Sequence, residues 1–93
     1  MTPAGPDDAA SLIVFPCQFP IKVMGPNVEG FGEAVVTVAR GFDPNFDSST
    51  MERRTSAAGN YLGLTITVTV TSREQLDELY RTLSTHPMVK VVL

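Results

Sequence analysis

The chain contains no tryptophan, one cysteine and one histidine, and these scarcities exclude several classes of site. The single cysteine, Cys17, cannot form a disulfide within the chain. Tetrahedral metal sites need about four ligands at characteristic spacing, which Cys17 and the lone His86 do not provide. No acid that would orient these two residues is signalled. We therefore expect no metal, no cofactor and no catalytic pair.

Charge is also scarce, because charged residues make up 18% of the chain and the net charge is −3. No basic field is available to attract a phosphate backbone or an anionic membrane. No apolar run approaches the roughly 18–20 residues of a membrane span. Residues 1–11 lack the basic and then apolar order of a secretory signal. We expect a cytoplasmic bacterial protein without nucleic-acid or membrane partners.

The length of 93 residues allows one domain with a single core. Residues 1–13 combine prolines and a glycine with Asp7, Asp8 and small side chains. Such a composition buries too little apolar area to offset the cost of ordering the chain. The sequence therefore predicts a flexible tail over residues 1–13 and one domain over residues 14–93.

Apolar residues alternate with threonines over residues 61–71, and this is the strongest pattern in the chain. Period-two alternation of this length predicts a strand with one dry and one wetter face. The dry face carries Leu62, Leu64, Ile66, Val68 and Val70. The wetter face carries Gly63, Thr65, Thr67, Thr69 and Thr71. The pattern predicts a half-buried sheet.

The first half of the chain predicts a strand followed by a helix. The strand is expected over residues 18–24, with Pro20 near its start or at a bulge because proline lacks a ladder donor. The helix is expected over about residues 28–41, with Asn27 as its cap and Gly41 near its end. Phe46, in the connection that follows, is expected against the edge of the core.

The second half predicts a hairpin, a helix and a last strand. A charged edge strand over residues 51–57 leads through the turn Gly59-Asn60 into the threonine strand. Thr71 or Ser72 begins a capping box for the second helix, and Pro87 ends that helix. Residues 88–93 are predicted to form the final strand.

The order strand, helix, strand, strand, helix, strand predicts a ferredoxin-like two-layer sandwich of the α+β class, βαββαβ. We predict a four-stranded antiparallel sheet of order 4-1-3-2 with both helices on one face. From right-handed crossovers we further expect the two central strands, the first and the third, to run parallel to each other. The predicted core comprises Phe19, Ile21, Val23, Val35, Val38, Leu62, Leu64, Ile66, Val68, Leu76, Leu79 and Leu83.

Five short segments together suggest a family. They are Phe15-Pro16, residues 21–25, Gly59-Asn60-Tyr61, the pattern of Leu79, Tyr80 and Leu83, and residues 89–93. In this order and spacing, over about residues 15–93, the chain resembles the YbeD-like family of small bacterial proteins. The resemblance implies a fold similar to ACT regulatory domains, which bind amino acids or partner subunits in allosteric enzymes. It implies no known activity, because the family is largely uncharacterised. Gly63 departs from the small polar residue usual at that position in the family.

The first candidate site is the loop that precedes the first helix. Gly25, Asn27, Val28 and Gly30 would let a ligand approach free backbone N–H groups at the positive end of the helix dipole. Because ACT domains hold an amino acid in the corresponding loop, the resemblance implies a small carboxylate ligand here. The alternative is that Gly30 and Gly32 only permit close packing or delay the start of the helix.

The second candidate is the face of the sheet opposite the helices. Lys22, Thr65, Thr67 and Thr69 are predicted on this face, with Lys90 beside them. Threonine methyl groups make such a face semi-apolar, which suits self-association or a protein partner. A merely hydrated face explains the same pattern equally well. RNA-recognition domains stack bases on aromatic residues in the middle of this face, and none is predicted there.

Two arginines, Arg53 and Arg54, lie on the predicted edge strand, where a guanidinium could grip a carboxylate. An ordinary solvated edge is the simpler reading. No residue set supplies a nucleophile, a base and a charge stabiliser together. We therefore expect a non-enzymatic regulatory or protein-interaction module without catalytic, cofactor-binding or metal-binding residues. The alternative is a sensor of amino-acid-like ligands at the loop.

Overall fold

A computed structural model describes residues 14–93, which form one four-stranded sheet covered on one face by two helices. The strands and helices are β1 (Cys17–Pro26), α1 (Phe31–Phe42), β2 (Glu52–Thr55), β3 (Tyr61–Val70), α2 (Arg73–Ser84) and β4 (Val91–Val92). The strand order β2-β3-β1-β4 is the predicted order 4-1-3-2 read from the opposite edge. The predicted tail over residues 1–13 lies outside the described residues.

All strand pairs in the sheet are antiparallel, so the expectation of a parallel central pair is wrong. β1 runs against β3 with Ile21 opposite Ile66. A helical crossover makes the two strands that it joins parallel, and the first crossover joins β1 to β2. The hairpin then reverses the chain between β2 and β3. The strand that returns to the centre must therefore oppose β1.

The core lies between the helices and the dry face of β3, where every second residue is buried as the alternation predicts. The buried apolar residues are Ile21, Val23, Phe31, Val35, Ala39, Phe46, Leu62, Leu64, Ile66, Val68, Val70, Leu76, Leu79 and Leu83. Phe19 and Val38, which were predicted in the core, are only partly buried at its margin. α1 instead buries Phe31, Val35 and Ala39, which recur every four residues along one stripe.

α1 begins three residues later than predicted, because Asn27 has partners elsewhere. The backbone N–H of Asn27 donates to the Asn60 carbonyl at 2.9 Å, and its side-chain amide donates to the Gly59 carbonyl at 2.9 Å. Asn27 therefore ties the loop after β1 to the β2–β3 hairpin turn. Gly30 takes the N-cap position instead, with φ 94° and no side-chain cap.

The start of α2 confirms the predicted capping box in a slightly altered form. The Ser72 hydroxyl accepts the N–H of Gln75 at 3.1 Å. The Gln75 amide oxygen reaches back to the N–H of Thr71 at 2.7 Å, one residue before the N-cap. The Gln75 amide nitrogen donates to the Phe42 carbonyl at 3.1 Å, so the same side chain also joins α2 to the end of α1.

The Asp43 side chain accepts a hydrogen bond from the edge of β3 in the part of that strand that β2 does not cover. β2 pairs only with residues 62–65 of β3. Beyond it, the Asp43 carboxylate accepts the backbone N–H of Thr69 at 3.0 Å and that of Asn45 at 3.1 Å. The carboxylate therefore takes the place of the backbone carbonyl that a neighbouring strand would offer to Thr69. Asp43 is buried, and this contact fixes the loop after α1.

β4 (Val91–Val92) is shorter than predicted. Its register, rather than its length, explains how a proline is tolerated within β1. Lys22 exchanges two backbone hydrogen bonds with Leu93, so the even-numbered residues of β1 direct their backbone groups toward β4. β4 ends before it reaches Pro20, and the missing N–H therefore breaks no ladder bond. Among the described residues, no helix is long and apolar enough to cross a membrane.

Candidate functional site

The sheet face opposite the helices, here called the open face, is covered by no other element of residues 14–93. Residues opposite each other in neighbouring antiparallel strands point to the same side, so the register assigns its members. They are Gln18, Pro20, Lys22 and Met24 on β1, Glu52 and Arg54 on β2, Tyr61, Gly63, Thr65, Thr67 and Thr69 on β3, and Val91 on β4. The open face is therefore a mixed surface of threonines, charges and large apolar side chains.

Four large apolar side chains stand out on the open face: Met24 is 37% exposed, Val91 43%, Tyr61 48% and Leu93, which pairs with Lys22 just after β4, 69%. Met24 lies opposite Gly63 on one side and opposite Val91 on the other. Tyr61 is two residues before Gly63 on the same strand and therefore on the same face. Met24 and Tyr61 thus flank Gly63, and Val91 continues the apolar surface on the other side of Met24.

A depression of about 490 Å³ lies over Gly63, here called the Gly63 depression. Gly63 contributes no side chain, while Lys22, Met24, Arg54, Tyr61 and Thr65 line the space around it. A Cβ atom at Gly63 would lie 3.5 Å from the Arg54 carbonyl, which is ordinary van der Waals contact. The glycine is therefore not required by the backbone. Its effect is to leave room beside exposed side chains.

Three cationic residues, Lys22, Arg53 and Arg54, and one carboxylate, Glu52, line the Gly63 depression. The Arg53 guanidinium lies against Gly32 on the helix side of the sheet, so the charged side chains on the open face are those of Lys22, Arg54 and Glu52. Lys22 and Glu52 flank Thr65 in one row across the strands, and Arg54 flanks Gly63 in the next. Within residues 14–93 the ion pairs are those of Arg73 with Asp77 and Arg81 with Glu78, both on α2. Lys22 and Arg54 thus make no ion pair in the described part of the chain.

The structure brings Lys22, Thr65, Thr67 and Thr69 together on the open face, in the predicted positions. Lys90 differs, because Val91 rather than Lys90 lies opposite Met24. Met24 and Val91 were not predicted as site residues, and Arg54 was considered only as an edge-strand arginine that could grip a carboxylate, not as part of the open face. They reach the same place only through the cross-strand register, so no local pattern identifies them. The sequence signal for this site is Gly63, a glycine at an outward-facing position of the threonine-rich strand.

The predicted loop site is a second concave region, here called the loop pocket, of about 490 Å³. It is lined by Asn27, Val28, Glu29, Gly30, Gly32, Glu33, Arg53 and Leu62. Two of its expected free donors are already used: the N–H of Asn27 binds the Asn60 carbonyl and that of Val28 binds the Pro26 carbonyl, both at 2.9 Å. Glu29 and Glu33 add two carboxylates against the single guanidinium of Arg53.

The glycines of the loop have different reasons to be glycine. A Cβ atom at Gly25 would lie 2.5 Å from the Met88 carbonyl and from the ring of Phe31, so close packing excludes a side chain there. A Cβ atom at Gly32 would collide with the Arg53 guanidinium. Gly30 has open space around it, and its positive φ is what favours glycine. Packing and backbone conformation therefore explain Gly25 and Gly30 without a ligand.

The remaining reactive residues do not assemble into a site within the described part of the chain. Cys17 is partly buried at the start of β1, opposite Val70. The Nδ1 atom of His86 accepts the backbone N–H of Met88 at 3.1 Å in the loop after α2. Among residues 14–93, no three His, Cys, Asp or Glu side chains cluster as metal ligands would.

Comparison with known proteins gives consistent matches over nearly the whole chain. A family model described as "Protein of unknown function (DUF493)" matches residues 10–93. A UPF0250 protein of Leptothrix cholodnii is 66% identical over 83 residues, covering 89% of this chain and 91% of the relative. A UPF0250 protein of Ralstonia nicotianae is 58% identical over 92 residues, covering 99% and 94%.

A solved structure also matches the fold. The solution structure of protein HP0495 from H. pylori matches with a TM-score of 0.74 over 99% of this chain and 98% of the other. The two sequences are 16% identical. At that identity the likeness establishes the fold alone.

Proposed function

Because the chain belongs to the UPF0250 (DUF493) family, the YbeD-like family of unknown function, we propose its function from the geometry of its surface. In this proposal the protein is a non-enzymatic regulatory module that binds a partner protein through the open face. The observation that carries this proposal is the exposed patch of Met24 and Tyr61, which line the Gly63 depression, and Val91, which lies next to Met24 on β4. Contiguous exposed apolar side chains rimmed by polar residues are typical of docking sites.

The threonines extend this patch along β3. Thr65, Thr67 and Thr69 are partly buried and alternate along the centre of β3. Their methyl groups can contact an apolar partner, while their hydroxyl groups can satisfy polar atoms of the same partner. β3 and β1 pair over ten residues each, which makes the surface rigid. A rigid surface loses little side-chain and backbone entropy on binding.

A non-enzymatic role is supported by the distribution of reactive groups. The residues around the Gly63 depression include neither Cys17 nor His86. The hydroxyl groups of Ser56, Tyr61 and Thr65 line the depression, but no histidine lies among them, and Glu52 is the one carboxylate there. The chemistry that remains is recognition through apolar contact and charge.

The proposal is tested by comparing one substitution on two faces of the molecule. Thr67→Glu places a charge at the centre of the open face, and Thr37→Glu makes the same change on the exposed side of α1. We expect a protein from the source cells to be retained by the wild type and by Thr37→Glu. Thr67→Glu should reduce its retention about tenfold or more, because the new charge would be buried unpaired at the contact.

Thermal melts of both variants check that each remains folded. Equal retention by Thr67→Glu and the wild type would contradict the proposal. Amide shifts of Lys22, Thr65 and Thr67 that change on dilution of the pure protein would assign the open face to self-association instead. The three outcomes are therefore distinct.

A ligand sensor at the loop pocket is the second candidate, and the Arg53 guanidinium packed against Gly32 favours it. A guanidinium beside a helix N-terminus can bind a carboxylate. Glu29 and Glu33 oppose this, since both carboxylates line the same pocket. An NMR titration with the common amino acids tests this candidate. A sensor should show amide shifts at Gly30 and Gly32, and Arg53→Gln should remove them.

A further inference from the structure

We propose that the Gly63 depression receives the carboxylate of an acidic side chain that lies between apolar residues on the partner protein. This inference rests on the proposed function and adds the chemistry of the partner. It follows from the position of Lys22 and Arg54, from the local balance of charge and from the apolar groups beside them.

Lys22 and Arg54 lie on the two strands that flank β3, on either side of Gly63, which has no side chain. Arg54 on β2 and Met24 on β1 both lie opposite Gly63 on β3, and Lys22 is two residues from Met24 on the same face. β2 and β1 are separated by β3 and so lie about 10 Å apart. Long lysine and arginine side chains can reach over that distance from both sides. Since Gly63 has no side chain, a carboxylate can enter between them.

The charge of this region differs in sign from that of the whole chain. The chain carries a net −3. On the open face, the Gly63 depression has the side chains of Lys22 and Arg54 against the single carboxylate of Glu52, and Arg53 also lines it but directs its guanidinium toward Gly32. Neither cation makes an ion pair within residues 14–93. A partner carboxylate would therefore gain two charge-assisted contacts without first breaking an existing pair.

The neighbouring residues define what should flank that carboxylate. Met24 and then Val91 lie on one side of Gly63, and Tyr61 lies at the start of β3. These side chains would contact aliphatic residues next to the acidic one, and burial of apolar surface would supply most of the affinity. The preferred segment is thus an acidic residue with aliphatic neighbours.

A second copy of this chain fits the open face less well. Pairing two open faces about a twofold axis would bring two cations and one carboxylate from each copy into one interface. Each Glu52 could neutralise one cation, which leaves one unmatched positive charge per copy at a desolvated contact. A separate acidic partner avoids this cost.

The test uses two capped five-residue peptides, one with glutamate between two leucines and one with glutamine in its place. We expect the glutamate peptide to shift the amides of Gly63, Thr65 and Arg54 in an NMR titration. The glutamine peptide should bind about fivefold more weakly, the effect expected for losing a partly exposed ion pair. Raising the salt concentration from about 0.05 M to about 0.5 M should remove most of that difference.

Adjacent residues provide matched controls. Arg54→Gln should weaken binding of the glutamate peptide by about fivefold. Arg53→Gln should leave it unchanged, because the Arg53 side chain lies on the other side against Gly32. Glu52→Gln should strengthen binding, because it removes the competing carboxylate. Gly63→Ala should weaken binding with the fold intact, since the added Cβ fills part of the depression and is tolerated there.

Four results would overturn the inference: equal binding of the two peptides, equal effects of Arg53→Gln and Arg54→Gln, shifts confined to residues 27–33, or no shift at about 10 mM peptide. The proposed function would survive each of these results if Thr67→Glu still released the cellular partner. If Thr67→Glu retained that partner, the docking surface itself would be wrong. The two proposals can therefore fail separately.

Discussion

Ile66 and Thr67 are adjacent in sequence and lie on opposite faces of β3. Ile66 is fully buried against the helices, and Thr67 is partly exposed on the open face. We expect Ile66→Ala to lower the free energy of unfolding by about 2–5 kcal/mol, because it leaves a cavity in the core. Thr67→Ala should lower it far less. Urea denaturation of both variants measures the difference, and equal losses would mean that the faces are assigned wrongly.

Asp43 is a buried polar residue on which two backbone groups depend. Asp43→Ala leaves the N–H groups of Thr69 and Asn45 without their acceptor. We expect a loss of about 1–3 kcal/mol in the free energy of unfolding, the usual cost of an unsatisfied buried donor. Asp47→Ala is the control, since that carboxylate caps the exposed turn Ser48–Thr50. A loss from Asp43→Ala no larger than from Asp47→Ala would contradict this role.

Tyr80 provides a prediction about pH. Burial raises the pKa of Tyr80 above the ordinary value of 10.0, because the phenolate is poorly solvated there. In Tyr61→Phe, Tyr80 is the only tyrosine of the chain. Its phenolate absorbance should therefore appear at higher pH in the folded protein than in urea. Coincident titrations would contradict the burial.

The same shift makes stability depend on pH with a definite sign. Above pH 10 the unfolded chain loses the Tyr80 proton while the folded chain still holds it. The contribution of the neutral tyrosine is therefore complete below pH 10 and declines as the pH rises through the folded pKa. Tyr80→Phe should reduce this decline in the free energy of unfolding, measured by urea denaturation at successive pH values.

At the scale of the element, the start of α1 depends on Gly30 and its positive φ. Gly30→Ala should destabilise the protein by about 1 kcal/mol, because a Cβ is unfavourable in the left-handed region. Gly30→Asn should cost less, since asparagine tolerates that conformation. Thermal melts of both variants measure these costs. Because open space surrounds the position, no clash of the new side chain contributes to them. Equal costs would indicate that the backbone conformation is not what selects glycine.

Elements with a strong internal period were predictable, and those fixed by distant contacts were not. The alternation in β3 predicted its faces, and the pattern of α2 predicted a cap at Thr71 or Ser72, of which Ser72 is the observed N-cap. The start of α1 was placed too early, because Asn27 has the local chemistry of a cap. Its actual partners are Gly59 and Asn60, more than 30 residues away in the chain. No local window contains that information.

At the scale of the whole molecule, the order of elements predicted the sheet order but not the relative direction of its central strands. The hairpin between β2 and β3 determines that direction. The candidate site shows the same limit. Lys22 and the threonines could be assigned to one face from alternation. Arg54 and Met24 reach Gly63 only through register, which depends on the assembled sheet.

The chain has two tyrosines and no tryptophan, which gives the open face a built-in optical signal. Tyr61 lines the Gly63 depression, whereas Tyr80 packs beside the core. In Tyr80→Phe, all tyrosine fluorescence therefore comes from Tyr61 on the open face. A peptide without aromatic residues that covers Tyr61 would change the intensity of this emission. Occupancy of the open face can then be followed in the otherwise unlabelled protein by ordinary fluorescence.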